Sequence, residues 1–535
     1  MRLRVLIVVC SLFCAFAQER VVAQVAGVDV LDYEFRIAVD DASDRIEGET
    51  LITVRFDRAG VERLTLDLVT AAGPREPGMQ VAGVRENDRT IRFEHAADRL
   101  VLHLSSPSQA AEERRFSISY GGIPVDGLII AKNRHGNRTF FGDNWPNRAR
   151  NWLPTIDHPS DKATCAFVIT APNHYQVIAN GRLVEETDLP GERRRTTWRT
   201  DAPLPTKVMV FGAARFAVRY EGEVADVPVQ TWVYPEDRDD GFYDFAVAMD
   251  MLRYFDNRIG SFPYAKLANV QSKTRYGGME NAGAIFYNEN AITGERSNES
   301  TVAHEIAHQW FGDSVTEADW PHIWLSEGFA TYFAELYLEH AYGRSRLVAD
   351  MAEAREAVIR FFRRSPTPLV DTRTDDPNQL LNTNSYQKGG WVLHMLRGLI
   401  GDDAFWIGIR SYYATHRDAN ATSDDLRQAM EQAAGQELGW FFDQWLYRPG
   451  QPKLRVTHGY DAANKQLTVT VAQRQAGAPF RFPLDLDLVT GGDVRRERVL
   501  VDQAEHTFRF ELDRPITELV VDPDVALLME LDPAR

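Results

Sequence analysis

The hydrophobic period of this chain changes twice, and those two changes constrain its fold more than any other feature. From about Val28 to Phe216 apolar and polar residues alternate. Tyr33, Phe35, Ile37 and Val39 mark one run, and Ile52, Val54 and Phe56 mark the next, after an Asp/Ser/Gly-rich turn. A two-residue period buries one face of a strand, so this stretch predicts an antiparallel sheet domain. From about Gly241 the period lengthens: Phe242, Tyr243, Phe245, Ala246, Met249 and Leu252 suit a helix. Segments 299–311, 322–342, 345–362, 386–399 and 424–446 also read as helical, the last opened by a cap signal, Thr422 with Asp425 three residues on. Pro449-Gly450-Gln451-Pro452 then stops the helix. Beyond it, Leu467, Val469 and Val471, and then Phe482, Leu484, Leu486 and Leu488, alternate again and predict a small sandwich.

A chain of 535 residues is too long for one core, so three domains are expected: 18–218 as a β-sheet domain, 219–448 as a mainly helical domain and 449–535 as the sandwich. Residues 1–17 read as a secretory leader. Arg2 and Arg4 are its basic start, Val5 to Ala17 an apolar run short for a membrane span, and Ala15-Phe16-Ala17 a cleavage site that leaves Gln18 first. The expected setting is secreted or periplasmic, with no stable membrane insertion after cleavage. Cys10 and Cys14 lie in the leader, so Cys165 is the only cysteine of the mature chain and no internal disulfide can form. Cys165 sits in a strand-like run and reads as a small buried apolar residue, not a nucleophile. The net charge of −17, from 60 basic and 77 acidic side chains, argues against a nucleic-acid or anionic-membrane partner.

The chemistry centres on His304-Glu305-Ile306-Ala307-His308. On a helix, positions four apart share a face, so both imidazoles can point at one ion. Zinc takes neutral imidazole nitrogens at about 2.0–2.1 Å. Glu305 lies roughly 100° round the helix from His304, near enough to reach the water beside the ion but poorly placed as a ligand. A third protein ligand is needed, leaving one position for water. Glu327, nineteen positions after His308, supplies it from the run Trp324-Leu325-Ser326-Glu327-Gly328-Phe329, where a lone carboxylate has little other reason to lie. Asp313, just past the first helix, is a candidate to orient a ligand histidine.

Two further motifs accompany this site: Gly277, Gly278, Met279, Glu280 and Asn281 before it, and Tyr386-Gln387-Lys388-Gly389 after it. With the two histidines and Glu327 in that order, the chain resembles the aminopeptidase N family of zinc peptidases. The matches are H-E-x-x-H and, after eighteen intervening residues, Glu, together with the G-x-M-E-N exopeptidase motif and the Y-x-K-G segment. The resemblance covers nearly the whole mature chain. It implies an α+β multidomain fold: a β-rich N-terminal domain, a thermolysin-like, mainly helical catalytic domain and a small C-terminal β-sandwich. It implies one zinc per chain and peptide substrates with a free N-terminal amine. It also implies roles. Glu305 is the general base, Tyr386 donates to the tetrahedral oxyanion, and residues 277–281 bind substrate, with the Glu280 carboxylate receiving the cationic α-amine. The glycines let the backbone run close to the substrate. Lys388 has no assigned role and is expected to be solvated.

One position departs from the family pattern. Relatives place Glu or Gln ahead of an Ala-Arg-x-(Trp/Phe)-x-Pro stretch, where it helps to hold the amine. Here the stretch is Ala149-Arg150-Asn151-Trp152-Leu153-Pro154, and the acid's position is Trp145, with Asp143 and Asn144 just before it. Either one of those two serves after a shift of one or two residues, or the wall beside the first side chain differs. Three other readings compete with an aminopeptidase: a thermolysin-type endopeptidase, a peptidase that also hydrolyses lipid epoxides, as some relatives do, and an inactive peptide-binding or scaffold relative. Glu280 speaks against the first, and the intact set of ligands and base against the last.

Overall fold

The strand Val28–Ala38 lies inside a nine-stranded sheet, the first large element of a computed structural model that describes residues 27–532 apart from 74, 75 and 375. The expected leader, 1–17, is outside the described residues. Tyr33, Phe35 and Ile37 are buried while Arg36 between them is exposed, as the alternation requires. The strand pairs antiparallel with Ile46–Phe56, but its other neighbour, Lys162–Pro172, runs parallel, with Tyr33 beside Cys165 and Phe35 beside Phe167. The sheet is therefore mixed, where an antiparallel one was expected. Period two is common to both kinds of ladder and does not report strand direction. Cys165 is buried, and burial pushes its thiol up to about 12.

A five-stranded sheet follows, in the order Ala217–Val224, Val227–Val233, Leu267–Ser272, Ala284–Asn288 and Gly278–Met279. It forms the middle layer of the molecule. Leu267, Ile285 and Tyr287 pack into the helical core, whereas Ala268, Val270 and Phe286 pack into the core of the N-terminal sheets. Leu267–Ser272 is buried at every position. A strand covered on both faces loses the alternation that marks a half-buried one, which is why this sheet is hard to read from sequence. The short edge strand Gly278–Met279 runs antiparallel to Ala284–Asn288 and borders the site described below.

The helices Glu299–His308, Trp324–Tyr342, Arg344–Phe362 and Gly389–Ile400 fall in four of the expected segments. The fifth segment is divided: Ser423–Ala434 ends at Gly435 in the left-handed conformation, and the short Gly439–Phe442 follows. Thr422 caps Ser423–Ala434 reciprocally, its side chain accepting from the Asp425 N–H while the Asp425 carboxylate accepts from the Thr422 N–H at 2.7 Å. Asp402–His416 is a helix outside every expected segment. Its buried Phe405, Trp406, Ile409, Tyr412 and Tyr413 keep helical spacing, but residues of that kind also favour strands. Two small sheets, of four and three strands, close the chain, and their Leu467, Val469, Leu484 and Leu486 join the helical core. The fold is thus α+β, with a β-rich N-terminal part, a helical central part on its own sheet and a C-terminal β part. Among the described residues no helix is long and apolar enough to cross a membrane.

Candidate metal centre

Glu299–His308 presents both histidines on one face, and Trp324–Tyr342 brings Glu327 to them in its first turn. The Nε2 atoms of His304 and His308 are 3.0 Å apart, and Glu327 Oε2 lies 3.4 and 3.3 Å from them. A tetrahedral ion with ligands at about 2.0–2.1 Å spaces neighbouring donor atoms about 3.3 Å apart, so these three atoms fit one zinc. His308 Nδ1 lies 3.1 Å from the Phe311 carbonyl and 3.2 Å from Ser326 Oγ. A carbonyl can only accept, so Nδ1 carries the proton and Nε2 keeps its lone pair for a metal. This corrects the expectation for Asp313. Its carboxylate is fully buried, yet neither oxygen has a hydrogen-bond partner, and His308 is oriented by Phe311 and Ser326 instead. Gly312 permits that packing: its φ is +116°, and a Cβ there would overlap Ser326 Oγ.

Glu305 and Glu280 converge beside the ligands. One carboxylate oxygen of each and a ring nitrogen of His308 lie within 4.8 Å of one another. Gly278 brings the edge strand this close, since a side chain there would overlap the Glu305 carboxylate. Gln309 fastens the loop that follows. Its amide donates to the Glu280 carbonyl at 2.6 Å and accepts from the Gly283 N–H at 2.8 Å, which locks residues 280–283 to the end of the histidine helix. Gln309 is a positioning residue that the motif reading passes over, although it directly follows His308. Asn180 adds a bond from the N-terminal part, donating to the Ala282 carbonyl at 2.8 Å. Within the expected substrate segment, Gly277 is exposed, Met279 is buried, and the buried Asn281 amide has no partner at either atom.

Carboxylates outnumber cations here. Glu280, Glu305, Asp313, Glu317 and Glu327 are all buried, and the buried Lys207 is spent on Glu317, at 2.6 Å. Burial, reinforced by the Glu280 and Glu327 charges, raises the Glu305 carboxyl well above the usual range despite His308. Glu280 is raised chiefly by burial. Burial disfavours the His308 imidazolium, but the carboxylates of Glu327, Glu280 and Glu305 outweigh it and push His308 up to about 10, so the surroundings favour a positive charge at Nε2, a proton or the metal that would replace it. Burial likewise opposes the Glu327 carboxylate, and the two imidazoles overcome it and hold Glu327 below the ordinary value. Two imidazoles and a carboxylate amid surplus negative charge suit a divalent cation.

Tyr386 lies in a single π-helical turn, Asn384–Lys388, just before Gly389–Ile400. Such turns recur at functional sites. Its ring stacks on His304, with centroids 6.0 Å apart and planes 14° apart. Burial and then the Glu327, Glu280 and Glu305 charges raise its phenol well above the ordinary value, so it stays protonated and able to donate. Lys388 contradicts its expectation: it is buried, not solvated, and burial pushes its ammonium down to about 8. Asp143 and Asn144, the two candidates for a second amine holder, both have partners within the fold. Asn144 donates to the Thr206 and Met209 carbonyls at 3.2 and 2.6 Å and accepts from Trp152 Nε1 at 2.8 Å. Asp143 accepts from Arg148 at 2.8 Å and from the Arg275 N–H at 3.4 Å. Both side chains are engaged in holding the fold.

A middle sheet with an edge strand against a His-Glu-x-x-His helix, completed by a carboxylate from the next helix, defines the metallopeptidase class. The chain belongs to peptidase family M1: the Peptidase family M1 domain matches residues 243–445, and the Peptidase M1 N-terminal domain matches residues 30–208. It is 28% identical over 362 residues to "Probable aminopeptidase 2" of Sulfurisphaera tokodaii, covering 64% of this chain and 45% of that one. It is 24% identical over 517 residues to "Leucyl aminopeptidase" of Saccharolobus solfataricus, covering 90% and 60%. It is 27% identical over 341 residues to "Glutamyl aminopeptidase" of Bos taurus, covering 61% and 36%. Among solved structures, Legionella pneumophila aminopeptidase A in complex with aspartic acid shares the fold, with a TM-score of 0.81 at 18% identity over 95% of this chain and 60% of that one. The chain thus spans about half the length of the curated relatives it matches.

Proposed function

We propose that this protein is a zinc-dependent aminopeptidase that removes single residues from the free N-termini of peptides. The observation that carries the reading is the Glu280 carboxylate, buried and unpartnered at Oε1, and clustered with Glu305 and His308 within 4.8 Å. A buried carboxylate without a partner is costly. An α-ammonium is the group that satisfies it, and its position next to the ligands sets cleavage after one residue.

His304, His308 and Glu327 would hold the ion, which when bound supplies a Lewis acid that makes water nucleophilic near neutral pH. Glu280 takes the ammonium, and the edge strand Gly278–Met279 offers its free backbone side to the peptide. Glu305 accepts the proton of the attacking water and passes it to the leaving amine, a task for which its raised affinity for protons suits it. Tyr386, protonated and stacked on His304, donates to the developing oxyanion. Gln309 keeps Glu280 in register with the histidine helix. Fluorogenic aminoacyl substrates, compared with their N-acetylated counterparts in the presence of zinc, test the reading. Free-amine substrates should be hydrolysed and acetylated ones left essentially intact. Efficient cleavage of acetylated peptides moves the chain to the endopeptidases.

A further inference from the structure

Lys266 is 3% exposed, yet among the described residues no carboxylate pairs with it. Its Nζ donates to the Ala179 and Gly181 carbonyls at 2.7 and 2.8 Å and lies 4.6 Å over the Trp198 ring. Lys207, also buried, is by contrast matched by Glu317 at 2.6 Å. With no anion to offset it, burial pushes the Lys266 ammonium down to about 7. Lys266 forms part of the wall of an open cavity of about 390 Å³. The cavity lies between the strands Gln176–Ala179 and Arg182–Leu189 of the N-terminal part and the strands Ala217–Val224 and Val227–Val233 of the middle sheet. Hollows of that size take small ligands. Its inner walls are apolar: Val177, Trp198 and Trp232 are buried. Both indole N–H groups are already used, that of Trp198 on the Val177 carbonyl at 3.0 Å and that of Trp232 on Gln230 Oε1 at 2.9 Å. At the mouth Tyr220 and Leu183 are 71% and 46% exposed, so apolar surface meets water there. Of the charged side chains at the mouth, Arg182 is paired with Asp201, and Glu186 is exposed, where water screens it. The ligands and carboxylates of the metal centre take no part in these walls.

We propose that this cavity is a second ligand site, which binds a small organic acid with its aromatic or branched apolar body among Trp198, Trp232 and Tyr220 and its carboxylate on Lys266. A buried cation held only by carbonyls and an indole face still lacks a counter-charge, and a charge-assisted hydrogen bond is stronger for lying out of water. The apolar walls hold the body by burial. A neutral ligand of the same shape gains only the burial, and a basic one meets the ammonium. The site does not depend on the aminopeptidase reading of the metal centre.

The test is calorimetric titration of the zinc-loaded protein with 2-naphthoate and with its uncharged counterpart, 2-naphthamide. The acid should bind once per chain and about tenfold or more tighter than the amide, the scale of a hydrogen bond to a charged group. Lys266→Met should abolish that preference. Tyr220→Ala should weaken both ligands about fivefold, the scale of one aromatic contact. Zinc content and melting temperature report whether each variant is folded. Tyr220 is exposed and can be replaced without loss of the fold, so it decides the matter even if Lys266→Met does not fold. No binding of the acid, equal binding of acid and amide, or a preference that survives in folded Lys266→Met overturns the proposal. So does 2-naphthoate binding that neither folded variant weakens, which places the acid at the zinc.

Discussion

Two buried carboxylate clusters flank the strand Ala284–Asn288, and they are built in opposite ways. In one, Asp237 and Glu289 are saturated. Asp237 accepts from Arg134 at 2.5 Å, from His135 at 2.9 Å and from Gln271 at 2.7 Å. Glu289 accepts from Lys273 at 2.6 Å and from the Arg134 N–H at 3.0 Å. This cluster fastens the turn at 133–137 to the middle sheet. In the cluster around Glu280, Glu280 Oε1, both oxygens of Asp313 and Glu317 Oε2 have no partner. Buried polar groups are normally satisfied, and one left open marks a place where a group arrives from outside. The first cluster is finished by the fold itself, and on the function proposed above the second is completed by a cation and an ammonium.

Substitutions should separate the two clusters. Glu305→Ala should have the largest effect, lowering kcat by about 10²–10⁴-fold while zinc stays bound, because a base is lost and no ligand is. Steady-state kinetics with metal analysis check it, and near-normal turnover would reduce the open carboxylates to packing. Glu280→Ala should follow, lowering kcat/KM on free-amine substrates by about 3–5 kcal/mol, the scale of a buried pair broken on one side. A loss under about 1 kcal/mol would make it an exposed ion pair. Tyr386→Phe should lower kcat about a hundredfold and change KM far less.

The saturated cluster should respond in stability alone. Asp237→Ala strands Arg134, His135 and Gln271 and should destabilise the fold by about 2 kcal/mol, with kcat per folded molecule nearly unchanged. Burial opposes the Asp237 carboxylate, but Arg134, His135 and Gln271 overcome it and hold its pKa below the ordinary value. A depressed folded pKa adds stability above the unfolded value of about 3.9 and loses it as pH falls through the folded one. The stability gap between wild type and Asp237→Ala should therefore be flat near neutral pH and close below about pH 4. A gap that widens in acid would contradict the pairing.

The clustering of His304, His308 and Glu327 was legible because much of its geometry is local. His304 and His308 share one helix face by their spacing, and Glu327 lies in the first turn of the next helix, which packs against the first. Residues whose partners lie far along the chain were not. Asn144 looks like any loop amide until the Thr206 and Met209 carbonyls arrive. Lys388 looks solvated until neighbouring elements cover it. The parallel pairing of Val28–Ala38 with Lys162–Pro172 leaves no mark on either strand's own pattern. Gln309 lies between: its place in sequence is conspicuous, but its work, pinning the Glu280 carbonyl and the Gly283 N–H, depends on the course of the loop between them.

The central claim is that His304, His308 and Glu327 form one zinc site whose occupancy, and not merely whose neighbourhood, sustains catalysis. Zinc per chain, measured by elemental analysis alongside turnover in the wild type, His304→Ala, Glu327→Ala and Glu305→Ala, tests it most directly. One zinc per chain is predicted in the wild type and Glu305→Ala, and a loss of both zinc and turnover in His304→Ala and Glu327→Ala. Full zinc occupancy in His304→Ala or Glu327→Ala, or an active wild type that carries none, would contradict it.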